Sequence, residues 1–122
     1  MHMTVADVIA KAKWFARDHA AELDPFSAAD WLACVVAARA RLWALHPQAF
    51  HAGAVRVASL PAAPTSTDDT VSLADGWDTI LAAAAAAHAV RVLRPADEAA
   101  AAEQGATLEQ LEAAVTAGLG AL

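Results

Sequence analysis

Residues 76–90 read GWDTILAAAAAAHAV, and the role of six consecutive alanines between a Trp-led turn and a lone histidine decides the fold. Three readings compete: a membrane span, a catalytic helix, and a packing element made narrow. The apolar run Ile80–Ala87 stops at His88, whereas a spanning helix needs about 20 apolar residues. A catalytic helix needs polar groups, and this one offers methyls. Alanine has the best helix propensity and adds little burial area. The stretch therefore predicts a helix that neighbours can approach from more than one side. It is the central helix of a bundle, or one that also lies against another subunit.

The rest of the composition agrees. The chain has 122 residues, which fits one domain (1–122) with a single core. Hydrophobic residues make up 58% of it, but 37 of those 71 residues are alanine, so close helix approach is favoured over a thick apolar core. The opening MHMTVADVIAKAK puts its lysines after the first apolar residues, which is not the order of a secretory signal. A single cysteine, Cys34, reads as a buried structural thiol in a reducing compartment. Net charge is −6, and Lys11, Lys13 and Arg17 are interleaved with Asp7, Asp18 and Glu22. No basic face for tight nucleic-acid binding is expected.

Outward from the alanine stretch, the chain reads as mainly α, a bundle of about four helices with a short β-hairpin between the second and third. Thr4–Asp7 has the form of a capping box. The helix after it places Val5, Val8, Ile9, Ala12, Phe15, Ala16 and Leu23 on one side and Trp14 on the other. Trp14 is either a partly exposed aromatic or a contact to another subunit. Pro25 breaks this helix. Ser27–Asp30 repeats the capping pattern and opens a second helix to about Leu45, with Trp31, Leu32, Val35, Leu42 and Trp43 on its apolar face. Arg39 falls within that face. It must find a carboxylate or carbonyls, snorkel past small neighbours, or bridge to another subunit.

The stretch HPQAFHAG ends the second helix. AVRVASLP and TVSL read as two short strands of a hairpin over 54–74, with PAAPTSTDDT as its long tip and Pro61 and Pro64 confining it to an edge. The third helix runs from near Asp75 to about Leu93, before Pro95, with Trp77, Ile80, Leu81, Ala84 and His88 on one face. ADEAAAAEQG reads as a short helical segment ended by Gly105. Thr107–Gln110 then opens a final helix, 107–122, whose seam of Leu108, Leu111, Val115, Leu119 and Leu122 either closes over this domain or docks onto another protein.

Chemistry is sparse. The five histidines are His2, His19, His46, His51 and His88; no pair has metal-site spacing, and no Cys-x-x-Cys occurs. His88 reads as a core histidine. No phosphate loop, nucleophile elbow or acid–base constellation is present, so neither an enzyme nor a bound cofactor is expected.

The order helix, Pro-broken turn, helix ending in LHPQAF, short hairpin and Trp-led helix resembles the small head–tail adaptor (connector) proteins of tailed bacteriophages and prophages. The pieces that carry the resemblance are TVADVIAKAKWFARD, SAADWLACVVAARARLWALHPQAF and VRVASLP leading to GWDTILAAAAAAHAVRVL, about three-quarters of the chain. The high alanine content and the PAAPTSTDDT loop depart from the family pattern. The resemblance implies a structural virion protein of the neck, assembled in the bacterial host cytoplasm with no membrane contact. Such a protein forms a ring of about twelve copies beneath the portal protein, extends the DNA channel, and carries a stopper or tail-completion protein. It also implies portal docking through a C-terminal segment, here the Leu108–Leu122 seam, with Trp14 and Arg39 as further candidate interface residues. An acidic lumen would let double-stranded DNA pass without specific binding, and Asp68, Asp69, Asp75 and Asp78 are the candidates to face it. Two rival readings are a small helical regulator or antitoxin-like protein-binding module and a small helical enzyme or ligand-binding domain.

Overall fold

The computed structural model describes residues 2–52 and 55–122, with the side chains of His2, His51, Ala52 and Arg56 outside the description. Gly53 and Ala54, where the expected 54–74 hairpin would begin, also lie outside it. In chain order the elements are β1 (His2–Thr4), α1 (Val5–Phe15), a 3₁₀ turn (Arg17–His19), α2 (Ala20–Leu23), α3 (Ala28–Leu45), a second 3₁₀ turn (Pro47–Ala49), β2 (His51–Ala52), β3 (Val55–Arg56), β4 (Thr70–Ser72), α4 (Trp77–Arg91) and α5 (Glu98–Gly120). The protein is mainly helical.

The alanine helix is the axis of the fold. α1, α3 and α5 all pack against α4, and Ala82 through Ala87 are each at most 2% exposed. Methyl groups around the whole circumference let three helices approach one shaft. Ile80, Leu81 and Val90 fill the ends of this column, and Val5, Val8, Trp31, Val35 and Phe50 close round it. α4 starts at Gly76, whose φ of 90° lies in the left-handed region that favours glycine.

Both expected capping boxes form. The hydroxyls of Thr4 and Ser27 accept from the amides of Asp7 and Asp30, and the two carboxylates accept in return from the cap amides. At α1 the remaining first-turn donors reach the PAAPTSTDDT loop: Val5 N–H donates to Asp69 O at 2.9 Å and Ala6 N–H to Thr67 O at 2.9 Å. That loop is a helix cap as well as a connection.

Three expectations are corrected. The first helix does not run to Leu23. It ends at Phe15, and the 3₁₀ turn swings His19 inward, where it is 5% exposed. Among the described residues, TVSL does not pair with residues 55–57. Thr70–Ser72 lies antiparallel to the N-terminal His2–Thr4, with Met3 opposite Val71, while Val55–Arg56 pairs with His51–Ala52. These pairings are decided by which segments the helices bring together, which strand propensity does not register. Finally, Gly105 does not end a helix. α5 is continuous from Glu98 to Gly120, because one glycine costs only about 1 kcal/mol against the surrounding Ala, Glu and Gln.

Candidate functional site

Of the two uses open to the Leu seam, closing over this domain or docking onto another protein, the first is seen: most of it is used inside the molecule. Leu111 and Val115 are 3% and 7% exposed, and Leu108 and Leu119 pack partly buried against the same core. Leu122 stays exposed, with its side chain beside Gly76. An alanine-coated α4 supplies the groove the seam requires, so it closes over its own domain. Thr107 is an interior position of α5, and its hydroxyl meets His19 Nε2 at 2.7 Å.

Arg39 does not snorkel to the surface; of the partners expected for it, carbonyls of its own chain are in contact. It is 6% exposed, and its Nη2 donates to the carbonyls of Pro61 at 2.7 Å and Ala62 at 3.3 Å. The guanidinium carbon lies 5.7 Å from the centre of the Phe50 ring. Burial pulls the group below its ordinary value, though a guanidinium stays charged at neutral pH.

The four acids differ in setting. Asp68 and Asp75 are exposed. Asp69 accepts from the amides of Thr65 at 2.8 Å and Ser66 at 3.1 Å. The Thr65 amide is the chief cause that holds its carboxyl below the ordinary range. Asp78 is corrected as a channel-facing candidate: it is buried in the first turn of α4 and ion-paired with Lys11 of α1. The Lys11 hydrogen bond is the main cause that lowers its pKa. A second charged cluster ties three helices. Glu112 of α5 accepts from Arg41 of α3 and from Arg91 of α4, at 3.0 Å to each from its Oε1. Neither cluster was legible in the sequence, because its members are far apart along the chain and nothing local marks them.

Trp14 is where the helical pattern put it, outside. The side chain is 60% exposed and held by neighbours: Arg17 stacks over the ring at 4.2 Å and donates to Trp14 O at 2.9 Å. Phe15 meets it edge-on at 5.3 Å. The other tryptophans are committed inward, with Trp31 and Trp77 buried and Trp43 packed on Phe50. A large indole fixed in the open, with a cation on one face, is the form that interface anchors take.

Groups for bond-making are few. Cys34 is buried, and burial chiefly pushes its thiol up to about 11, an unreactive setting. Among the described residues no group of three or more His, Cys, Asp or Glu could hold a metal ion. The His46 ring lies tilted against Trp77, centroids 5.6 Å apart, and His88 is half-buried on α4. No described helix is long and apolar enough to cross a membrane.

No family model matches the chain, and neither the curated proteins nor the solved structures give a match.

Proposed function

We propose that this protein is a structural adaptor of the head–tail neck of a tailed bacteriophage. Copies of it form a ring of about twelve below the portal, continue the DNA channel, and receive a stopper or tail-completion protein. In this reading it is a virion component, carries out no covalent chemistry, and lets double-stranded DNA pass unbound. The observation that carries the association is Trp14, a clamped and exposed indole. The assignment to the viral neck rests on the resemblance in TVADVIAKAKWFARD and in the helix closed by LHPQAF, whose Ala49 and Phe50 turn into the core.

The corrected geometry moves the proposed contact. With the Leu108–Leu119 stripe spent on α4, portal or subunit docking falls to Trp14 and the exposed apolar side chains Leu45, Val55, Val92 and Leu122. The channel lining falls to Asp68 and Asp75.

Mixing the purified chain with the portal protein of the same genome, then measuring particle mass and imaging by electron microscopy, tests this. The expected result is a ring seated on portal. A 12.5 kDa particle that stays single and ignores portal overturns it.

A further inference from the structure

Arg39 spends only one of its three nitrogens on anchoring the loop. Both of its hydrogen bonds leave from Nη2, to Pro61 O and Ala62 O. Guanidinium carries donors on three nitrogens, and Nε and Nη1 meet no hydrogen-bond acceptor among the described residues. Among the described residues no side-chain nitrogen or oxygen sealed from solvent lacks a partner, so these two nitrogens keep contact with solvent. Arg39 also lines a pocket of about 430 Å³ together with Phe50, Val57, Pro61, Asp69 and Val71, among others. Arg39 as a residue is only 6% exposed, and its guanidinium is given neutral carbonyls and no ion pair among the described residues, so no counter-charge is in contact with it. An anion entering the pocket would complete its coordination.

The walls choose among anions. Phe50, Val57, Pro61 and Val71 are apolar and suit a ligand with a hydrocarbon body. Among the described lining residues Arg39 is the one cation, and the Asp69 carboxylate, which lines the same pocket, is held in its ionised form by the Thr65 and Ser66 amides. A dianion such as phosphate would meet that negative charge with a single guanidinium to offset it. A monocarboxylate needs one counter-charge only, and its oxygens match guanidinium donors. We infer that the pocket between Arg39, Phe50 and the 61–71 loop binds a carboxylate with a small apolar body, either as a free molecule or on an acidic residue of a second copy. This goes beyond the adaptor reading and does not depend on it.

Titrating the full-length chain with sodium benzoate, followed by NMR, tests the site. The expected result is saturable shifts gathered at the Arg39 side-chain Nε–H and the amides of Val57 and Val71, with benzamide, uncharged and of the same shape, leaving them in place. Arg39→Gln should abolish the effect. Because that change also loosens the loop, Ala63→Trp is the second variant: it sits at an exposed lining position and crowds the pocket with Arg39 intact. It should weaken benzoate by about tenfold. Sedimentation in the same samples separates the two sources. Benzoate that lowers particle mass is displacing a carboxylate of a second copy, and benzoate bound at constant mass is filling a free-ligand site. Equal responses to benzoate and benzamide, or benzoate shifts unchanged in both variants, overturn the proposal.

Discussion

Gly118 of α5 lies directly against Ile80 of α4: a Cβ built on Gly118 would stand 2.6 Å from Ile80 Cγ1 and 3.3 Å from its Cδ1. The two helices run antiparallel, as Gln104 at the other end shows by donating to the carbonyls of Val90 at 2.7 Å and Leu93 at 3.0 Å. Close contact at one end and a side-chain cap at the other fix α5 along the alanine shaft. Gly118→Ala should therefore destabilise by about 1–3 kcal/mol of overpacking, despite the gain in helix propensity. Ile80→Ala alone should cost about 2–5 kcal/mol. Together they should cost clearly less than the sum, because the new methyl enters the space the isoleucine leaves. Urea unfolding of the four proteins measures this coupling, and additive losses would contradict the packing.

The opposite outcome is expected at Gly105. It lies in the exposed middle of α5, and a Cβ there meets nothing within 4 Å. Gly105→Ala should stabilise by about 0.5–1 kcal/mol, visible as a raised urea midpoint with unchanged slope. If α5 were instead two helices joined at this glycine, the substitution would be neutral or harmful.

The helical frame was open to sequence reading wherever the signal is local. α3 occupies the expected Ala28–Leu45 because Ser27 and Asp30 start it and Pro47 follows it. The alanine run could be read as a central helix because no other role suits methyls on every side. What stayed hidden depends on distant partners. The pairing of β1 with β4 joins residues 2–4 to 70–72, and three-residue strands carry almost no pattern. The place of Arg39 in an apolar face calls for a carboxylate or carbonyls, yet nothing in its own helix says that Pro61 and Ala62 are in reach. The Leu seam was visible, but its groove was not, since a groove made of alanine looks in sequence like plain helix propensity. Gly105 and Thr107 imitated a stop and a start, and tertiary packing overrode both.

Two ion-paired carboxylates, one buried and one part-exposed, contribute to the acid limit of stability. Asp78 and Glu112 both have folded pKa values lowered chiefly by hydrogen bonds from Lys11 and from Arg41. A carboxylate that binds protons less readily folded than unfolded stabilises the protein above its ordinary value and loses that contribution as pH falls. Stability should thus begin to drop as pH nears 4.5 for Glu112 and 3.8 for Asp78, the ordinary values for the two groups, and keep dropping until the lower folded values are passed. Asp78→Asn should cost about 1–3 kcal/mol at pH 7, Glu112→Gln about 0.5–1 kcal/mol because its ion pairs are part-exposed and screened, and each should flatten the acid limb of urea midpoint against pH. A limb of unchanged steepness in the double variant would place the acid sensitivity elsewhere.

Trp14 separates folding from assembly. Its ring touches Arg17 and Phe15 but is 60% exposed, so Trp14→Ala should shift stability by no more than about 1 kcal/mol. If the indole is the anchor of a subunit or portal contact, the same change should weaken that contact by about 2 kcal/mol or more, roughly thirtyfold in affinity. Trp14→Phe keeps an aromatic face for Arg17 and should fall between. Arg17→Ala frees the ring without removing it and should weaken association less than Trp14→Ala does, through lost rigidity. Unfolding curves with sedimentation or portal pull-down on the same four proteins read the two effects apart. Association that survives Trp14→Ala unchanged would move the interface off this end of α1, and an unfolded Trp14→Ala would make the residue a core element in spite of its exposure.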